Sequence, residues 1–362
     1  MMISLNNKLI ITTLLSLFLF SCNPNKQGNM KWIAKYDFNQ LYQLTDQATV
    51  LDPMSAFRFE DFIAPNENTI ILIGSKDLND LDSSQIGDQA VILISKDRGK
   101  SYQELTLPEQ DMRWIYPSND YSLIKAQSRL PDNSKKNSMY LLDNNSLKIV
   151  KIDEYDSEAD ISYYNFNGKY AVYSHNKALK LVNLLNREEH YPLPYELNNR
   201  SFWVTADDTL LILDAKQLIR YDPKNNTKTV IQQLHNDYDV LTYKDGEYFF
   251  TKFNENKSKG GGSYYNNKEE LLYTFEKGDR SRYYRYKNFA CDYKLTSALY
   301  PIFRYSYDYG KTWYEKEFKG FFIASRPVGF YKDKFIMLDA TFYDKNESDD
   351  GGGRLLIGEF EK

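Results

Sequence analysis

The chain has 362 residues with 46 Lys and Arg against 50 Asp and Glu, and this acidic balance without a basic tract excludes a phosphate-backbone binder. Two cysteines exclude a disulfide framework, and three scattered histidines (His175, His190, His235) lack metal-ligand spacing, so neither a metal nor a cofactor is expected. The 31 Tyr and 21 Phe suit half-buried strands, and the length suffices to bury a large core.

Residues 1–21 carry one charge, Lys8, followed by an apolar run from Leu9 to Phe20. That run is too short to span a bilayer and suits a secretory signal peptide. It ends in Leu19-Phe20-Ser21-Cys22, which resembles a bacterial lipobox: Leu three positions before a Cys, and a small residue directly before it. The resemblance implies that Cys22 is acylated, palmitate included, and becomes the mature N-terminus. Residues 22–29 then form a lipidated tether, polar and breaker-rich. Asn23, where an inner-membrane retention signal has Asp, favours the outer membrane; whether the protein faces the periplasm or the cell surface stays open. The alternative is an ordinary signal peptide with an incidental Cys. Lipidation of Cys22 leaves Cys291 as a lone thiol.

The segment Lys31–Phe38 reads as a strand that completes the last repeat from the N-terminal side. From Phe57 on, short β-type runs alternate with Asn-, Asp-, Gly- and Lys-rich turns, with no long amphipathic helix. Runs 69–73, 90–94, 140–142, 170–173 and 210–213 read as buried inner strands. Turns are expected at Asn167-Gly168, Asp207-Asp208, Lys244-Asp245-Gly246 and Tyr331-Lys332-Asp333. Outer hairpins are expected to end near Leu107, Ile152, Leu193, Leu234, Tyr286, Phe318 and Phe360.

Two segments share one pattern. Ser95-Lys96-Asp97-Arg98-Gly99-Lys100-Ser101-Tyr102 and Ser306-Tyr307-Asp308-Tyr309-Gly310-Lys311-Thr312-Trp313 both read Ser-x-Asp-x-Gly-x-[Ser/Thr]-aromatic. An Asp in a tight turn accepts backbone N–H bonds, Gly two residues on supplies a positive φ, and the closing aromatic, Tyr102 or Trp313, starts the next strand. The copies are separated by five units of about 42 residues, within the period of propeller blades. The pattern resembles the Asp-box, or BNR repeat, of sialidase-like β-propellers. The resemblance implies an all-β propeller over residues 30–362 as a single domain. Seven blades are preferred, six if the unit at 289–318 is not a full blade, and two β-sandwiches are the rival.

Two insertions interrupt the rhythm. Residues 257–267 combine a Gly run with Tyr264 and Tyr265, and residues 344–353 are acidic and then Gly-rich. Either reads as a mobile connection or a binding loop. Asp344, Glu347, Asp349 and Asp350 could offer oxygen ligands to Ca²⁺, without the spacing of a regular loop.

Sialidases grip a carboxylate with three arginines and use a Tyr nucleophile. Only Phe57-Arg58-Phe59-Glu60 approximates the setting of their first Arg, without the Ile-Pro that follows it. Arg113, Arg200, Arg304 and Arg326 stand in no diagnostic context, and Arg304, beside the second box, reads as structural. There is neither a nucleophile elbow nor a phosphate-binding loop. The expectation is a non-enzymatic, lipid-anchored envelope protein that binds a protein partner. Lipid-anchored or exported propellers among immunity proteins resemble it, which implies a type VI secretion toxin as that partner; a sialidase-like hydrolase or glycan-binding module is the alternative.

Overall fold

The computed structural model describes residues 26–37, 57–66, 68–78, 87–196, 201–244, 246–254, 261–276, 284–295, 301–317, 328–339 and 354–361. The chain is an all-β propeller whose strands form seven sheets among these residues. Two N-terminal strands, β1 (Lys26–Gln27) and β2 (Asn29–Asp37), precede the first sheet. Blade one holds β3 (Phe57–Ile63), β4 (Ile70–Asp77), β5 (Asp88–Ser95) and β6 (Gln103–Thr106). Blade two follows with β7 (Asp111–Pro117), β8 (Tyr121–Arg129), β9 (Lys135–Asp143) and β10 (Ile149–Asp156). Blade three is β11 (Ile161–Phe166), β12 (Tyr170–His175), β13 (Ala178–Asn183) and β14 (His190–Glu196). Blade four is β15 (Ser201–Val204), β16 (Leu210–Asp214), β17 (Gln217–Asp222) and β18 (Thr227–Gln233). Blade five is β19 (Val240–Lys244), β20 (Glu247–Phe253), β21 (Gly261–Tyr265) and β22 (Leu271–Glu276). Blade six has β23 (Tyr284–Tyr286), β24 (Phe289–Leu295), β25 (Pro301–Ser306) and β26 (Tyr314–Glu317). Blade seven is β27 (Val328–Tyr331), β28 (Lys334–Asp339) and β29 (Arg354–Glu361), with β2 as its fourth strand.

First strands of successive blades touch, β3 with β7, β7 with β11, β11 with β15 and β15 with β19, which sets them around the axis. Each sheet is covered on both faces by its neighbours, so the middle strands read as continuous apolar runs rather than alternating ones. Ile71, Ile73, Ile92 and Ile94 of blade one pack with Met112, Ile124 and Leu142 of blade two. Leu211, Leu213 and Leu218 of blade four meet Leu241 and Phe250 of blade five in the same way. Between blades six and seven the filling is aromatic, with Phe289, Phe303, Tyr305, Phe335 and Phe360 sharing one cluster. Ring closure brings blade seven against blade one: a Cβ on Gly99 would lie 2.7 Å from Ile357.

The N-terminal strands clasp the last two blades. Lys26 and Gln27 add a fifth strand to blade six, parallel to β26, with Lys26 opposite Tyr314. Gly28 then passes where a Cβ would stand 2.5 Å from the Tyr305 hydroxyl oxygen, so no larger residue fits there without movement. That hydroxyl accepts the Asn29 N–H at 2.9 Å and lies 2.7 Å from the Glu361 carbonyl oxygen. From Asn29 the chain pairs antiparallel with β29, Asn29 opposite Glu361 and Asp37 opposite Arg354. The closing strand anticipated at Lys31–Phe38 is this one; Phe38 lies outside the described residues.

Four sequence expectations change. The runs at 69–73 (from Ile70 on), 90–94, 140–142, 170–173 and 210–213 all fall on middle strands, buried because neighbouring blades cover both faces, and not on the strands nearest the axis. Tyr286 does not end an outer hairpin: blade five ends at Glu276 and Tyr286 belongs to the first strand of blade six, which makes the unit around 289–318 a full blade. Gly261 and Gly262 are not part of a connection, since they pair with Glu276 and Phe275 in the ladder of blade five. Among the described residues, strand pairing already includes Lys26 and Gln27, inside the segment read as tether, because main-chain groups there bond to β26.

Candidate functional site

The turns between third and fourth strands are tied by side chains. In blade one, the Ser95 hydroxyl donates to Asp97 (2.8 Å) and accepts the Gly99 N–H (2.7 Å). Asp97 in turn accepts the N–H groups of Lys100 and Ser101 and the Ser101 hydroxyl. Blade six repeats the arrangement with Ser306, Asp308, Gly310 and the Thr312 N–H. Gly99 and Gly310 both have φ +83, the conformation the pattern requires. Burial raises the pKa of Asp97 and Asp308, but the hydrogen bonds outweigh it and hold both carboxyls below their usual value.

Four further blades use the same device without its sequence dress. Asp143 accepts the N–H groups of Asn145 and Ser146; Asn183 those of Leu185 and Asn186; Asp222 those of Lys224 and Asn225; Asn266 those of Lys268 and Glu270. Positions 97, 143, 183, 222, 266 and 308 thus mark the same turn in blades one to six, and only the first and last carry the flanking Ser and Gly. A spacing search for a lone Asp or Asn every 39 to 46 residues could have found them, against the background of a chain rich in both.

Turns between first and second strands lie on the same face and are tied similarly. Asn66 accepts from Asn68 and Thr69, and Asn167 from Lys169 and Tyr170. Neighbouring turns also join across blades: Lys96 donates to the Asn144 carbonyl, and the Asn167 amide donates to the Thr205 carbonyl at 2.8 Å. Positive φ at Gly168, Asp208, Gly246 and Lys332 agrees with the anticipated hairpins. The described chain begins on this stapled face, where the Lys26 N–H bonds to the carbonyl of Trp313, the last residue of the second box. Cys22 lies outside the described residues.

The opposite face receives the second-to-third-strand connections. In blades three and four these are two-residue links, from His175 to Ala178 and from Asp214 to Gln217. In the others they are longer: Asp77 to Asp88, Arg129 to Lys135, Phe253 to Gly261, Leu295 to Pro301 and Asp339 to Arg354. Asp344, Glu347, Asp349 and Asp350 belong to the last of these and lie outside the described residues. Among the described residues no group of three or more His, Cys, Asp or Glu is placed to hold a metal. His175, His190 and His235 stand in blades three, three and the link after blade four.

A polar pocket of about 390 Å³ opens on this loop-bearing face between blades one and two. Arg113, Arg129 and Lys135 bring cations to it, Asp88 and Asp111 carboxylates, and Gln110 and Gln127 amides. Arg113 sits at a β-bulge between Met112 and Trp114, an irregularity that re-aims a side chain. Its Nε donates to Gln127 at 3.1 Å, and Gln127 donates to buried Asn137 at 2.9 Å.

The arginines weighed for carboxylate binding do not converge. Arg113 is in blade two and Arg304 in blade six. Arg304 grips buried Asp292 through two bonds, stands 2.8 Å from the Tyr273 hydroxyl and lies over Trp313, joining blades five and six. These contacts engage its guanidinium with groups of the two blades. The Arg58 side chain, Arg200 and Arg326 lie outside the described residues. Cys291 is fully buried, and burial pushes its thiol pKa well above the ordinary value, which leaves it inert.

No protein-family profile matches the sequence, and no curated protein does. Solved structures do share the fold. An uncharacterized protein of Listeria monocytogenes EGD-e aligns with TM-score 0.50 and 9% identity over 79% of this chain and 92% of its own. The β-propeller domain of the Trilobed protease from Pyrococcus furiosus gives 0.47 and 10% over 78% and 91%. BamB from Moraxella catarrhalis gives 0.41 and 10% over 92% and 100%. At these identities the likeness concerns architecture alone.

Proposed function

We propose that this protein is a non-enzymatic envelope lipoprotein that binds a protein partner through its loop-bearing face. The observation that supports this reading is the position of Lys26. Lys26 enters on the stapled face beside Trp313, so a lipid on Cys22, four residues earlier, would hold that face toward the membrane and turn the loops away from it. Rigid, interlocked turns on one side and long connections on the other suit a scaffold that presents binding loops. The Tyr-rich composition supports recognition, since Tyr offers a large contact area at low entropic cost. An immunity protein against a type VI secretion toxin is the sharper form of the same reading.

The test places a photo-crosslinking residue at Lys135 on the loop-bearing face, or at Lys224 on the stapled face, in the full chain expressed with its signal. One stoichiometric protein adduct from position 135 and none from 224 is the expected result. Adducts only from 224, or turnover of a glycoside panel by the purified chain, would overturn it. Labelling with a palmitate analogue that is lost in Cys22→Ser, together with release of the protein from membranes, checks the anchor separately.

A further inference from the structure

We infer that the pocket between blades one and two binds a singly charged carboxylate, a use that goes beyond the partner reading and does not depend on it. Arg129 and Lys135 are directly opposite each other in the β8–β9 ladder, and both side chains are exposed. Like charges in that position repel. No carboxylate among the described residues forms an ion pair with either, so an anion seated between them would remove the repulsion and gain two charge-assisted hydrogen bonds.

The rest of the pocket is arranged for the same guest. The bulge and the Gln127–Asn137 bonds fix Arg113 before any ligand arrives, and the Gln127 oxygen occupies only part of its five-donor fork. Asp111, 3.6 Å from Arg113, keeps that guanidinium from being a free surface charge. Gln110 accepts the Arg129 N–H through its oxygen, which leaves its NH₂ group as a further donor. Among the described lining residues three cations stand against two carboxylates, a balance of one positive charge that matches a monoanion better than a phosphate dianion. A volume of about 390 Å³ admits a carboxylate with the chain that bears it. Two sources share this chemistry: a small free acid, and a Glu or Asp side chain of another protein.

Saturation-transfer NMR on the full chain in detergent, with four probes, tests the site. Three are observed directly, an acetyl- and amide-capped Ala-Glu-Ala peptide, its Ala-Gln-Ala counterpart and butyrate; inorganic phosphate, which has no carbon-bound protons, is the competitor. Transfer to butyrate and to the Glu peptide, with none to the Gln peptide, is the expected result. In Arg129→Gln/Lys135→Gln binding should weaken about tenfold or more, the loss of one or more charge-assisted hydrogen bonds. Without ligand, that variant should melt no lower than wild type, since it relieves a like-charge pair. Butyrate alone would assign the pocket to a free acid, and an equal or stronger Glu peptide to a protein side chain; both support the carboxylate site. Equal binding of the Gln peptide, displacement of the carboxylates by equimolar phosphate, unchanged binding in the double variant, a lower melting temperature of that variant, or no transfer at about 10 mM would each overturn it. Crosslinking that finds no partner while butyrate still binds would remove the partner reading and keep the pocket.

Discussion

The two faces of the propeller are built from the same strands and differ in how their connections are held. On the stapled face, six successive third-to-fourth-strand turns each place an Asp or Asn under its own backbone N–H groups, and several reach across to the next blade. On the other face, connections range from two residues to the stretch between Asp339 and Arg354, and the polar pocket lies among their ends. One face therefore sets the ring's geometry and the other is free to vary without disturbing it. The fold locates its rigidity in hydrogen-bonded turns, which is what allows long insertions opposite them at small entropic expense.

If that division is right, damage should depend on the face. Asp97→Ala combined with Asp308→Ala should have the largest effect, about 2 kcal/mol per turn, because each leaves several backbone donors without their acceptor. Denaturant unfolding of the full chain measures it, and a combined loss under about 1 kcal/mol would mean that the staples are ornamental. Asn183→Ala and Asp222→Ala should each lose about 1 kcal/mol by the same assay, since these turns lack the Ser hydroxyl that links the Asp to the Gly N–H in the two boxes. No effect there would confine the device to the two recognisable boxes.

Acid offers a graded test. The carboxyls of Asp97, Asp143, Asp222 and Asp308 are all held below their ordinary value. In Asp97 and Asp308 hydrogen bonds outweigh burial, in Asp143 the leading cause is the Ser146 N–H, and in Asp222 the Asn225 side chain. The native state thus binds fewer protons than the unfolded chain, so this stabilisation is complete above about pH 4 and is lost as pH falls through the depressed values. Melting temperature against pH should drop below that point, and Asp97→Asn with Asp308→Asn should flatten the drop. Asn183 and Asn266 already serve in sister turns, so those variants should be milder than Ala at neutral pH. Smallest of all should be Arg129→Gln on the loop-bearing face, within about 0.5 kcal/mol by denaturant unfolding.

Seven blades were legible in the sequence because continuous apolar runs such as Ile70–Ile73 and Ala90–Ile94 recur with turn residues between them, and because two turns carry the full Ser-x-Asp-x-Gly dress. The Tyr-rich stretch around Tyr286 misled, since an aromatic first strand near the axis has the composition of an outer one. Gly261 and Gly262 misled for the opposite reason: they are loop-like residues that the ladder of β22 draws into a strand. The pocket was out of reach altogether. Arg129 and Lys135 are six positions apart in the chain, and only the β8–β9 register sets them face to face, while Arg113 depends on a bulge that no local pattern announces.

The N-terminal clasp also fixes an order of events. Strand β29, which follows all the other strands in the sequence, finds its outer partner in β2, which precedes blade one, and Lys31 meets Glu359 at 3.3 Å across that seam. Two segments so distant in sequence cannot find each other cheaply as free chain. The intervening blades must first deliver them to the same place. A folding chain would accordingly carry an open seam, with Phe360 and its aromatic neighbours uncovered, until β2 and β29 had paired. The seam is the part of this protein most in need of protection while it is being made.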